Sequence, residues 1–143
     1  MTVKQISVFM DNTPGRLAHF TRLLGNHNIN ILSLTVADGP HLSIVRCIVA
    51  EHEKAFELLT ANGYSARLTE VLAVNVPDNP GELASVAELL CDHGVNVEYL
   101  YSFVRGMGDK ALFIFRVDQM EKAVEVFAQA GVRLSSQEEL SSL

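Results

Sequence analysis

Residues 11–18 read DNTPGRLA and residues 77–84 read PDNPGELA. Pro14-Gly15 falls on Pro80-Gly81 at an offset of 66 residues, close to half of the 143-residue chain. The match runs on: Leu17, Ala18, Leu23, Leu24, His27, Asn30 and Leu34 are each identical to the residue 66 positions later. An internal duplication constrains the fold more than any other feature here, because what one half forms the other must form too.

Each copy opens on a strand pattern. In residues 3–10, VKQISVFM, Ile6, Val8 and Met10 share one face; in residues 70–76, EVLAVNV, Leu72, Val74 and Val76 take the same places. The turn follows, with Thr13 and Asn79 expected as helix N-caps and Pro14 and Pro80 at the first helical position. Leu17, Phe20, Leu23 and Leu24, and then Leu83, Val86, Leu89 and Leu90, form the apolar stripe of an amphipathic helix. Asn28 and Gly94 stand where that helix must stop, and both tolerate the left-handed conformation of a helix end. A strand (29–37 and 95–104), a turn (Asp38-Gly39-Pro40, or Arg105 to Asp109) and a third strand (42–49 and 111–117) come next. The second helix, 53–63 against 121–131, is offset by 68, so the preceding hairpin is two residues longer in copy two. Asp118 and Glu121 fit a capping box, whereas copy one has Ala50 at that cap. Gly63 and Gly131 end the helices, and a short strand near 65–69 and 132–135 closes each copy.

The order is β-α-β-β-α-β, twice. This predicts an α+β protein of two tandem ferredoxin-like units, with antiparallel sheets carrying helices on one face. The expected boundaries are 1–68 and 69–143, with a frayed tail, SSQEELSSL, from about residue 135. A unit this small is marginal alone. In ALFIFRV, Leu112 and Ile114 lie on one face and Phe113 and Phe115 on the other, so both faces call for cover, between repeats or between chains.

Composition removes several function classes. A net charge of −6 and a pI near 5.3 argue against nucleic-acid binding through phosphate contacts. The aromatics of KALFIFRV sit where RNA-recognition motifs stack bases, but the basic-glycine start is absent and copy one has HLSIVRCIV. No apolar run reaches a membrane span and the first residues lack a signal-peptide pattern, so a cytoplasmic protein is expected. Cys47 and Cys91 read as reduced, buried, small hydrophobes. No nucleophile elbow, phosphate loop, metal-spaced histidine pair or Cys/His arrangement is present, and Gly106-Met107-Gly108 is too short to be a phosphate loop. The expectation is a non-enzyme without cofactor or metal.

The turn itself offers chemistry. Amide N–H groups at a helix start attract an anion, and Gly15 or Gly81 has no side chain to obstruct it. Asn12 or Asp78 stands beside it. Asn30 and Asn96, polar between Ile29 and Ile31 or Val95 and Val97, are expected to aim back toward that turn and hold an ammonium group or a carboxylate. On the residues alone, a small polar ligand and a plain turn cap both remain open.

The pattern D/N-x-P-G-x-L-A, an amphipathic helix and then G/N-[IV]-N-[IV] resembles the ACT domain, across both halves of the chain. The resemblance implies a stand-alone tandem-ACT regulator that binds a free amino acid where two such domains pack side by side, pairs as a homodimer and modulates a partner enzyme. By position the implied ligand residues are Asn12, Gly15 and Asn30, flanked by Asp11, Thr13, Arg16 and Ile31. In copy two they are Asp78, Gly81 and Asn96, flanked by Asn79, Glu82 and Val97. Asp78 departs from Asn12; an acid favours an ammonium group and repels a carboxylate, so the two sites are expected to differ in affinity or one of them to be silent. The alternative is an ACT-like interaction module that has lost its ligand.

Overall fold

The computed structural model describes residues 1–103 and 108–143. The turn expected at Arg105-Gly106-Met107 lies outside the described residues. The chain forms two compact units, Lys4–Thr69 and Glu70–Leu143, the latter with Met1–Val3.

In the first unit, β1 (Val3–Asp11), α1 (Arg16–Asn26), β2 (Ile31–Ala37), β3 (Leu42–Val49), α2 (His52–Ala61) and the opening residues of β4 (Ser65–Pro77) follow in order. The strands lie in the order β2-β3-β1-β4, with β3 antiparallel to both β1 and β2. Ile6, Val8 and Met10 meet Phe20 and Leu24 of α1 in one buried core. Tyr64 joins it, edge-on to Phe20 at 5.7 Å between ring centroids.

The second unit repeats the plan with the rest of β4, then α3 (Glu82–Asp92), β5 (Val97–Ser102), β6 (Lys110–Val117), α4 (Met120–Ala130), β7 (Leu134–Ser135) and α5 (Gln137–Ser141). β6 lies between β4 and β5, antiparallel to both, and β7 pairs with β4. Leu72, Val74 and Val76 pack with Phe115 and Phe127, whose rings meet edge-on at 6.5 Å. Leu112 and Ile114, on the other face of β6, are buried as well.

Four features differ from the expectations above. First, Thr13 and Asn79 are not the caps. The N-caps are Gly15 and Gly81, both at φ 89°, and neither helix has a side-chain cap. Thr13 to Arg16 and Asn79 to Glu82 are instead tight turns, with the Arg16 N–H donating to the Thr13 carbonyl at 3.4 Å and Glu82 to Asn79 at 3.2 Å. Proline fixes the first corner and glycine supplies the positive φ of the second, as in a type II turn. Second, Asp118 does not cap α4, whose N-cap is Gln119 without a side-chain bond. The Asp118 carboxylate turns back and accepts the Asn96 N–H at 2.9 Å. Third, the tail is not frayed. Ser136 and Glu139 close a capping box on α5, Arg133 reaches Glu139 at 2.6 Å, and Leu140 is fully buried. Fourth, Cys91 is exposed while Cys47 is buried. One helical step of 100° past the buried Leu90 carries Cys91 off the apolar stripe. Leu17 likewise stands 41% exposed, whereas its counterpart Leu83 packs on the second core.

Candidate functional site

Both turns are held by the same backbone bonds. Asn12 N–H donates to His41 O and Asp78 N–H to Asp109 O, each at 3.3 Å. Thr13 N–H donates to Asp11 O and Asn79 N–H to Pro77 O, each at 2.9 Å. The side chains of Asp11, Asn12, Thr13, Asp78 and Asn79 are exposed. A Cβ built on Gly15 or Gly81 meets nothing within 4 Å, so each turn presents open space before the first-turn amides.

The asparagines do not join these turns within one copy. Ile31, which opens β2, pairs with Val49 at one end of β3, and Asp11 pairs with Leu42 at the other. The seven residue-to-residue steps from Leu42 to Val49 separate Asn30 from the turn by about 24 Å at ~3.4 Å per step. Copy two repeats this, with Val97 on Val117 and Pro77 on Lys110. The expectation that each Asn aims back toward its own turn is therefore corrected. Helix α1 returns the chain to the level where β1 began, so β2 starts at the far end of the sheet, as the crossover between two parallel strands requires. Cavities follow the same division. Glu82 lines one of about 330 Å³ with Asn75, Pro77 and Lys110, while Asn96 and Val97 line another of about 310 Å³ with Cys91 and Gly94.

Asn30 and Asn96 are exposed. Their carbonyls accept from Ala50 N–H at 3.2 Å and Asp118 N–H at 3.1 Å. Ile31 and Val97 are partly buried beside them.

Arg16 and Glu82 occupy equivalent positions with opposite charge. The Arg16 guanidinium carbon lies 5.6 Å from the centroid of the Tyr64 ring. Tyr64 is 7% exposed, and its hydroxyl is hydrogen-bonded to Nδ1 of His19, whose ring stacks on it at 5.8 Å. Burial pushes the Tyr64 hydroxyl pKa up and the Arg16 charge draws it part of the way back. The Arg16 Nε is buried without a partner. His19 and Tyr64 were not singled out from the sequence as ligand-site residues. The available signal was the break in the repeat, since they fall on Ser85 and Val132. Among the described residues no group of three or more His, Cys, Asp or Glu side chains gathers as a metal site, and no helix is long and apolar enough to cross a membrane.

The family model for the ACT domain pair matches residues 1–143. The chain belongs to this family. Protein BT0572 from Bacteroides thetaiotaomicron has a crystal structure similar to this ACT pair with a TM-score of 0.93 and 35% identity, covering 100% of this chain and 98% of that one. The ligand-free regulatory subunit of aspartate kinase from Thermus thermophilus shares the fold at a TM-score of 0.62 and 20% identity, over 89% of this chain and 91% of that one. The aspartate kinase from Synechocystis does so at 0.56 and 19%, with 95% of this chain matching 28% of that chain. No curated protein matches the chain.

Proposed function

We propose that this ACT pair is a non-catalytic regulator, with ACT domains at 1–68 and 69–143, that binds a free amino acid and passes its occupancy to a partner enzyme. The observation that carries this reading is the turn made twice with the same hydrogen bonds, open at Gly15 and Gly81 and uncapped by any side chain. Such a turn suits a carboxylate, and an asparagine amide suits either end of a zwitterion. A free amino acid is far shorter than the distance between the turn and the Asn of one copy. The reading therefore has Asn12, Gly15 and their neighbours in one chain meet Asn30 of a second chain in a homodimer. The name of the Thermus protein, a regulatory subunit, is in keeping with the role.

Thermal unfolding against each of the twenty amino acids tests it. A ligand at 100 times its dissociation constant stabilises the fold by about 2.7 kcal/mol, and Asn30→Ala is expected to abolish that shift while leaving the unliganded midpoint unchanged. A full set of null results, or normal binding by Asn30→Ala, refutes the reading or its site in turn.

A further inference from the structure

The two turns share a backbone but not a charge. Copy one has Asn12 and Arg16 where copy two has Asp78 and Glu82. Glu82 obeys the helix dipole, since an acid in the first turn faces the positive end of α3. Arg16 violates it: a cation sits at the positive end of α1, whose first turn holds no acidic residue. Among the described residues no carboxylate pairs with it, and its buried Nε finds no acceptor. Yet the side chain is held in place. Tyr64, on the segment after α2, lies under the guanidinium, and the Tyr64 hydroxyl is tied to His19, three residues along α1 from Arg16. This support is confined to copy one, because copy two has Glu82, Ser85 and Val132 at the three positions. A cation fixed against its local field, with an unsatisfied donor and a dedicated support, is a group arranged to pair with an anion.

We propose that the turn at Asp11–Arg16 is the one that takes a ligand's carboxylate, with Arg16 pairing to it and Tyr64 and His19 as positioning residues. The turn at Asp78–Glu82, with two acids, rejects carboxylates. This assignment rests on the amino-acid reading above, and it makes the two ACT domains unequal in function.

Equilibrium binding of each L-amino acid and of its C-terminal amide, on the full chain, tests it. The acid is expected to bind and the amide to bind far more weakly. Arg16→Met, which keeps the stem on Tyr64, is expected to lose affinity roughly ten- to hundred-fold, the range of a charge-assisted hydrogen bond. Arg16→Lys, a second variant that retains the charge, is expected to recover part of it. Tyr64→Leu is expected to weaken binding in the native background but not in Arg16→Met, a non-additivity that a purely structural Tyr64 does not produce. Native affinity in Arg16→Met, or equal binding of acid and amide, overturns the assignment while leaving the amino-acid reading intact. Failure of the unaltered protein to bind any amino acid overturns that reading and the assignment with it.

Discussion

Two single-methyl substitutions on one helix separate the backbone reading of the turn from any account based on space. Gly15 has φ 89°, and Gly25 lies inside α1 without a positive φ; a Cβ built on either meets nothing within 4 Å. Clashes with the surrounding structure therefore contribute nothing at either site, and the outcome is decided by the local backbone conformation. At Gly15 an alanine is forced into the left-handed region, which costs about 1–2 kcal/mol. At Gly25 it replaces a flexible helical residue and gains about 0.5–1 kcal/mol. The pair should thus differ by about 1.5–3 kcal/mol with opposite signs relative to the parent, or roughly 3–12 °C in midpoint at ~2–4 °C per kcal/mol. Urea unfolding with a common m-value is the assay. Gly81→Ala, with the same φ, should behave as Gly15→Ala. A Gly15→Ala protein as stable as Gly25→Ala refutes the left-handed turn, and with it the open approach to the first-turn amides.

Three further outcomes follow from the same structure. Leu140→Ala should cost about 2–5 kcal/mol, as a large fully buried side chain does, and Ser136→Ala, which breaks the α5 cap, about 0.5–2 kcal/mol; retention of full stability by both shows the tail to be dispensable. Cys91 should react with a thiol reagent in the native protein and Cys47 only on unfolding, because burial pushes the Cys47 thiol up to about 12 from an ordinary 9.0. The fold keeps Cys47 neutral, so this contribution is intact below pH 9.0 and lost as the pH rises toward 12; denaturant titrations of Cys47→Ala should lack that part of the decline. Asp118→Ala should cost about 0.5–1.5 kcal/mol through its bond to the Asn96 N–H, while Ala50→Asp, at the equivalent place in copy one, should not destabilise; unfolding midpoints decide both.

The elements were legible because period and repeat agreed. Ile6, Val8 and Met10, or Leu72, Val74 and Val76, can face only one way if the other copy is to be the same. What misled was chemistry with two solutions. Pro-Gly after Thr13 fits a helix start and a type II turn equally, and only the positive φ at Gly15 decides between them. Asp118 with Glu121 has the spacing of a capping box, but another donor, the Asn96 amide, takes the carboxylate. In the tail the same spacing, Ser136 with Glu139, was present and did form; the single buried Leu140 was too weak a pattern to flag it. The position of Asn30 was a matter of chain direction rather than composition, set by a crossover that no local run of residues records.

The duplication also sorts the site residues by what constrains them. Positions that agree across the copies are mostly explained by the fold. Pro14 and Gly15 build a turn, Leu24 and Leu90 fill a core, and His27 and His93 donate from Nδ1 to the carbonyls of Leu23 and Leu89 at 3.0 and 2.9 Å. Asn30 and Asn96 agree as well, yet the fold engages them through the backbone while their side chains stand exposed. Among the described residues no side-chain hydrogen bond of Asn30 or Asn96 accounts for an amide there, which is in keeping with the ligand role proposed above. Positions that disagree without loss of fold carry the opposite message. Asn12 and Asp78, Arg16 and Glu82, His19 and Ser85, and Tyr64 and Val132 all stand at or behind one turn, and they change together from a supported cation to a pair of acids. A shared amide at the strand and a divided charge at the turn are what two sites need if they are built alike and are to answer different ends of a ligand.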